Sequence, residues 1–411
     1  MPLDSANERL TRRAGSWSVG EILSAQARRV PDRVAIDDGA NFLTYRALDQ
    51  RVNRLANCLG ALGVVRGSRV AILSENRSEY LEATYAAAKL GAILCALNWR
   101  LAHNELAHCV DLVEPAVVLV SPRFEAAYRA LDRAGASVIV LGSDYEKRLE
   151  TAEVSEPPVV AEAEDGLLIL YTSGTTGMPK GALISHRAEL ARMELSRIDL
   201  GLEEGDSFVA WAPMFHMVSL EHALHVLALG GKVFVVDGAD IPRLTRLVET
   251  ERQWWLVLIP GMIERLVESL RASGIRPKGL KLVGALADLV PAQLIGEASR
   301  VLQAPYWKPS DRPRPACCRR RARGSRLANN RQAWRRATIR FTCGALPDPT
   351  TAMSHPGNPA RWPFVVPRYS AATGTWKRST RTSSAAAGST WVTCSSSSPM
   401  AGSASSTGPS T

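Results

Sequence analysis

Residues 171–181 read Y-T-S-G-T-T-G-M-P-K-G and follow directly on the apolar run L-L-I-L at 167–170. Eleven residues hold three glycines, four Ser/Thr hydroxyls and one lysine. A buried strand that empties into such a segment exposes several backbone N–H groups together. Glycine accepts positive φ and lets the backbone approach a ligand closely. Successive N–H groups in a turn form an anion-binding concavity, and Lys180 adds a positive charge to it. A plain surface turn is the competing reading, because Gly, Ser and Thr gather in turns anyway. The length and order of T-S-G-T-T-G-x-P-K-G favour the anion site, held by Thr172, Ser173, Gly174, Thr175, Thr176, Gly177 and Lys180.

Working outward, the segments on both sides alternate between apolar strands and amphipathic helices. Before the loop, helical spacing covers 18–30 (Val19, Ile22, Leu23, Ala27), with a short strand at 34–36. Thr44 is placed to N-cap a helix carrying Leu48, Val52, Leu55, Leu59 and Leu62 on one face. Strands are expected at 69–74, 92–97, 116–120 and 137–141, separated by helices at 78–90, 104–113 and 123–134. Residues 145–163 are polar, acidic and Pro-containing, and read as a surface connection.

After the loop the alternation resumes. Helices are expected at 189–198, after 219 through 229, and at 241–251, 261–272 and 291–302. Strands are expected at 207–211, 232–236, 255–259 and 280–284. Strands separated by single helices imply parallel βαβ units, so the fold class is α/β, doubly wound, with helices on both faces of parallel sheets.

Charge and cysteine usage divide the chain in two. Of 411 residues, 46% are hydrophobic, enough for a large core and for more than one domain. The net charge of +10 belongs to the tail: from residue 305 onward there are 17 Lys and Arg against 2 acidic residues. The remaining 304 residues hold 33 basic and 38 acidic side chains, so the body is mildly acidic and its ligands cannot be inferred from the basic total. Seven cysteines at unrelated spacings match neither a zinc site nor a disulfide framework. The first ten residues lack the apolar core of a signal peptide, and no run of about 18 apolar residues is present. A cytoplasmic protein with no membrane span is the expectation.

His216, in A-P-M-F-H-M-V-S at 212–219, is the second chemical feature. By itself, a histidine between Phe and Met is more often a packed side chain than a catalyst. His222 and His225, further along the same apolar helix, are expected to be structural or surface residues.

Together these segments resemble the adenylate-forming enzymes, a superfamily of acyl-CoA synthetases, peptide-synthetase adenylation domains and luciferases. The resemblance covers roughly residues 17 to 304 by order and spacing of segments. The glycine-rich stretch is similar to the family's phosphate-binding signature and is not a Walker loop, which needs Ser or Thr after the lysine where Gly181 stands. It implies that residues 172–177 and Lys180 hold the phosphates of ATP, with Mg2+ screening them. His216, in the family's Pro-x-Phe/Tyr-His segment, would sit beside the substrate carboxylate and the α-phosphate. The stretch G-L-K-L-V-G-A-L-A-D-L-V-P at 279–291 resembles the strand behind the acyl pocket and adenine, with Ala285, Leu286 and Ala287 in the pocket register. An ordinary core strand remains the alternative there, and Trp254 and Trp255 read as either pocket or core. The implied reaction joins a carboxylic acid, a fatty acid at family level, to coenzyme A with ATP cleaved to AMP and pyrophosphate. Loading of an acyl-AMP onto a carrier protein, and a decayed non-enzymatic product, are the alternatives.

Past Tyr306 and Trp307 the resemblance stops, and the segments expected to supply a magnesium-binding glutamate, a ribose-binding aspartate, a hinge and a catalytic lysine are not read. Residues 305–411 are instead rich in Arg, Pro, Ala and Ser, a composition that favours disorder. The genetic code offers a sharper account. P-S-D-R-P-R-P-A-C at 309–317, written CCT TCG GAT CGA CCG AGA CCG GCC TGC, reads from its third base as Phe-Gly-Ser-Thr-Glu-Thr-Gly-Leu. With synonymous choices, the same phase at 388–396 and 399–408 gives Phe-His-Leu-Gly-Asp-Leu-Leu-Val and Asp-Gly-Gly-Ile-Gly-Phe-Val-Asp-Arg. Three family-like segments in order and in one phase point to a frame change near residue 307. A genuine basic arm for nucleic acid, using Arg319–Arg321, Arg335 and Arg336, is the competing account, but little aromatic or helical organisation supports it. The domain expectation is an incomplete adenylation domain at 1–304 and an out-of-frame tail at 305–411, with no nucleic acid partner.

Overall fold

A computed structural model describes residues 17–172, 177–285 and 290–307, together with the backbone of three short strand segments beyond residue 340. In chain order the elements are α1 (Val19–Arg29), β1 (Val34–Asp37), β2 (Phe42–Thr44), α2 (Tyr45–Ala61), β3 (Arg69–Leu73), α3 (Ser78–Leu90), β4 (Ile93–Ala96) and α4 (His103–Val113). There follow β5 (Val117–Val120), α5 (Glu125–Arg129), β6 (Ser137–Val140), α6 (Ser143–Thr151), β7 (Gly166–Thr172), β8 (Lys180–Ser185) and α7 (His186–Leu200). The third run is β9 (Ser207–Ala210), α8 (Met217–Ala228), β10 (Lys232–Val235), α9 (Ile241–Thr250), β11 (Gln253–Leu258) and α10 (Met262–Ser273). It continues with β12 (Leu280–Ala285), α11 (Ala292–Val301), β13 (Tyr306–Trp307) and β14 (Gly344–Ala345). A separate unit from His355 onward contributes the antiparallel pair β15 (Arg368–Ser370) and β16 (Thr375–Lys377).

The body forms two seven-stranded sheets, ordered β13-β12-β11-β9-β10-β1-β2 and β14-β8-β7-β4-β3-β5-β6. Within each sheet the pairs are parallel except at an edge: β2 runs antiparallel to β1, and β8 and β14 are antiparallel to their neighbours. Every residue of β4, β5, β9 and β11 is buried, and apart from Ser207 and Gln253 at the starts of β9 and β11 these strands read as apolar runs. Parallel strands covered on both faces have no solvent side to mark with polar residues. One continuous core joins side chains of both sheets and the helices between them, including Tyr45, Tyr80, Phe208, Trp254 and Trp255. A second cluster covers the outer face of the β7-containing sheet.

Local signals set the helix ends. Ser18 and Glu21 form a reciprocal box at the start of α1: the Ser18 N–H donates to Glu21 Oε2 at 2.9 Å, and the Glu21 N–H donates to Ser18 Oγ at 3.3 Å. Thr44 caps α2 as its position implies, its Oγ1 accepting from the Ala47 N–H at 3.2 Å.

Three features depart from the sequence expectation. The helix expected over 123–134 is the short α5. Part of the expected connection at 145–163 is helical, because α6 buries only Tyr145 and Leu149, one turn apart, against α2. So few apolar positions leave no periodic stripe in the sequence. Finally, β7 returns through an antiparallel hairpin instead of a helical crossover, pairing Tyr171 with Gly181 and Thr172 with Lys180.

Candidate active site

The hairpin of β7 and β8 presents the glycine-rich loop. The loop end of the hairpin is pinned from α4, where the buried Tyr171 hydroxyl donates to the Cys109 carbonyl at 3.0 Å and His108 Nε2 lies 3.2 Å from the Pro179 carbonyl. Thr172 ends one strand and Lys180 begins the other, opposite each other and both exposed. Gly177 has φ +96°, the left-handed region in which a side chain would be strained. Ser173, Gly174, Thr175 and Thr176 lie outside the described residues.

His216 stands at the N-terminus of α8, after a turn from the carboxyl end of β9. Its backbone N–H donates to the Pro213 carbonyl at 3.0 Å, and its ring lies against Phe215 with centroids 4.6 Å apart. Phe215 meets the edge of Trp99, which stacks on Phe124, and the Arg100 guanidinium lies 4.9 Å from the Trp99 ring centroid. Desolvation by these neighbours, and then the charge of Arg100, hold the His216 imidazole below its ordinary pKa. The ring is therefore neutral near pH 7, and the residue is exposed, so the imidazole can accept or donate a hydrogen bond to a ligand.

Thr172, His216 and Ala285 each lie at or after the carboxyl end of a parallel strand, where open α/β sheets bind ligands. The carboxyl ends of the two sheets are also tied together. Asn76, three residues after β3, donates through Nδ2 to the carbonyls of Ala212 at 2.8 Å, Val236 at 2.9 Å and Ala210 at 3.2 Å. Neither Asn76 nor the Trp99–Arg100 pair was singled out in the sequence; a lone polar residue just beyond a buried strand is the signal that could have found Asn76.

Of the remaining pocket candidates, Ala285 ends β12 by its backbone, and Leu286 and Ala287 lie outside the described residues. A side chain at Gly284 would approach the Trp307 carbonyl to 2.5 Å, so the close pairing of β12 with β13 requires glycine there. Trp254 and Trp255 are 0% and 1% exposed and belong to the core. His225 is also buried and His222 is half-buried: His222 Nδ1 is 2.8 Å from the Val218 carbonyl, and His225 Nδ1 is 3.0 Å from Ser196 Oγ. Burial lowers both imidazoles to about 3. Among the described residues no group of three or more His, Cys, Asp and Glu side chains could hold a metal, and no helix is long and apolar enough to cross a membrane.

The chain belongs to the AMP-binding enzyme family, whose sequence model matches residues 23–307. Among curated relatives it is 34% identical over 324 residues to an indoleacetate–CoA ligase of Aromatoleum aromaticum, covering 72% of this chain and 63% of that protein. It is 32% identical over 289 residues to a feruloyl-CoA synthase of Amycolatopsis, covering 70% and 56%. The inhibitor-bound N-terminal domain of FACL13 from Mycobacterium tuberculosis superposes with a TM-score of 0.65 at 25% identity, over 71% of this chain and 75% of that one. The chain thus spans about three fifths of the length of these two curated relatives.

Proposed function

We propose that residues 17–307 form the nucleotide- and acid-binding part of an AMP-forming carboxylate–CoA ligase acting in the cytoplasm. The observation that carries this reading is the hairpin register, which sets Lys180 against Thr172 at the mouth of the signature loop. Residues 172–177 hold the phosphates of ATP by N–H and hydroxyl donors, and the Lys180 ammonium offsets their charge. His216, neutral at pH 7, orients the substrate carboxylate by a hydrogen bond. One carboxylate oxygen attacks the α-phosphorus, its bond to the bridging oxygen breaks, and pyrophosphate leaves with that electron pair. Attack of the coenzyme A thiol on the acyl carbon then expels AMP.

Magnesium belongs to the expected chemistry as the partner of ATP. The acid is a carboxylic acid; the names of the two curated relatives specify aromatic ones, and the fatty acid of the family-level expectation stays within the test panel. ATP–pyrophosphate exchange in the presence of indoleacetate, ferulate and fatty acids is the measurement. Acid-dependent exchange supports the reading; absence of both exchange and ATP binding overturns it. Trapping the labelled acyl group on coenzyme A or on a phosphopantetheinyl protein separates the ligase from the carrier-loading alternative.

The tail beyond Trp307 is an out-of-frame translation. The family match ends at residue 307, close to the proposed change of frame, and this supports the reading. A chain altered there keeps its phosphate grip but lacks the segments that the resemblance places downstream, so its turnover is impaired. Sequencing the coding DNA decides the matter: an unbroken frame with codons incompatible with the shifted reading removes it.

A further inference from the structure

The turn that presents His216 is held by a residue of the other sheet. Asn76 is 7% exposed and follows β3, yet all four of its side-chain hydrogen bonds go to main-chain groups of the β9 and β10 region. Its two amide hydrogens are shared among the carbonyls of Ala210, Ala212 and Val236. Its Oδ1 accepts from the Met214 N–H at 2.8 Å. Only this orientation of the amide works, because the flipped one would set an oxygen against three carbonyl oxygens. The side chains on either side of Asn76 are also paired: Ser121 Oγ donates to Glu75 Oε2 at 2.6 Å, and Arg77 pairs with Glu79 at 2.5 Å. Residues 210–214 are thereby tied at three points immediately before Phe215 and His216.

We infer that Asn76 is the positioning residue for His216, transmitting the placement of the sheet that carries the phosphate hairpin to the imidazole presented by the other sheet. Asparagine is the residue this task requires. It supplies two donors and an acceptor from one short planar group, whereas aspartate supplies no donor and serine at most one. Aimed at the end of β9, at the end of β10 and at the turn between β9 and α8, that group fixes the turn relative to both strands. The inference rests on His216 being the residue beside the acid.

The test is NMR on the full chain with labelled histidine and backbone amides. In the unaltered protein the Met214 amide should exchange slowly with solvent and His216 should titrate below the ordinary imidazole range. Asn76→Ala, and Asn76→Ser as the milder variant, should each speed Met214 exchange at least tenfold and move the His216 midpoint upward as the ring loses its packed setting. Leu48→Ala, far along the chain in the core face of α2, serves as the control for lost stability alone: it should lower Tm and leave the His216 midpoint in place. An unprotected Met214 amide in the unaltered chain overturns the inference. So does a His216 midpoint that either Asn76 variant leaves unmoved. A separate outcome concerns the reading on which it rests: if His216 resonances ignore ATP plus acid while Met214 remains protected, the catalytic assignment of His216 falls and the clamp itself stands.

Discussion

The hairpin of β7 and β8 and the turn between β9 and α8 hold the two halves of the candidate site by opposite means. The hairpin is self-contained: sequence-adjacent strands set its register, and its candidate site residues, Thr172 and Lys180, are exposed at its tip. The turn before His216 is held from a distance, by Asn76 138 residues away from Met214 and by the Trp211 indole, which donates to the Val257 carbonyl at 2.9 Å. A short-range device announces itself as a motif. A long-range one is a set of ordinary residues until the chain is folded. The difference teaches that motif strength measures how local a site is, and says little about how much it contributes.

The largest expected effect breaks that comparison at the hairpin. Lys180→Ala should lower acid-dependent ATP–pyrophosphate exchange by on the order of 10²-fold, the scale seen when one stabilising group is removed from a charged transition state. Its side chain is exposed, so Tm should hardly change; a large fall in Tm would show that the hairpin is not self-contained.

The next effect lies where the two regions are bound together. The helices that follow them, α7 and α8, bury Glu189 and Glu221 against Arg192, His222, His225 and Ser196, with Tyr85 facing Glu189 from α3. Burial pushes both carboxyls up to about 8, and Glu189 Oε1 lies 3.0 Å from His225 Nε2 without a hydrogen bond between them. A carboxyl raised in the folded state contributes stability that is complete below its unfolded pKa and lost as pH rises through about 8. The buried imidazoles act in the opposite sense, their contribution complete above their unfolded value and lost as pH falls through about 3. Tm should therefore decline between about pH 6.5 and pH 8 and level off above that range. Glu189→Gln should flatten part of that decline, and a Tm independent of pH across it would contradict the buried pairing.

Trp211→Phe tests the clamped turn. It deletes the donor to Val257 and part of a ring that is 4% exposed, and should cost about 2 kcal/mol by thermal unfolding. Tyr171→Phe is the smallest change and probes the loop end of the hairpin, where one hydroxyl donates to the Cys109 carbonyl. Its cost should be about 1 kcal/mol, with exchange activity nearly retained. A loss comparable to that of Lys180→Ala would mean that the loop depends on α4 for its shape.

Much of the fold was legible because parallel strands buried on both faces, such as 70–73 and 117–120, leave uninterrupted apolar runs between amphipathic helices. Thr44 marked a helix start by the chemistry of a single hydroxyl. The residues beyond that reach share a physical cause. For α6, stability comes from the Arg51–Glu146 pair at 2.7 Å and two buried side chains, all long-range with respect to its own sequence. The division into two sheets was equally hidden, since each strand satisfies the same apolar pattern whichever neighbour it pairs with.

From its sequence alone this protein declared an α/β architecture, a phosphate-type loop ending in Lys180, a histidine worth placing, and a break in character near residue 307. These are properties of composition and of spacing within a few residues, which the chain carries before it folds. Tertiary structure alone decided that β7 turns back antiparallel, that Trp254 and Trp255 are core, and that the amide of Asn76 ties one sheet to the turn before His216. Hydrogen bonds between distant main-chain carbonyls and a single side chain leave no periodic trace, because their partners are specified by position in space.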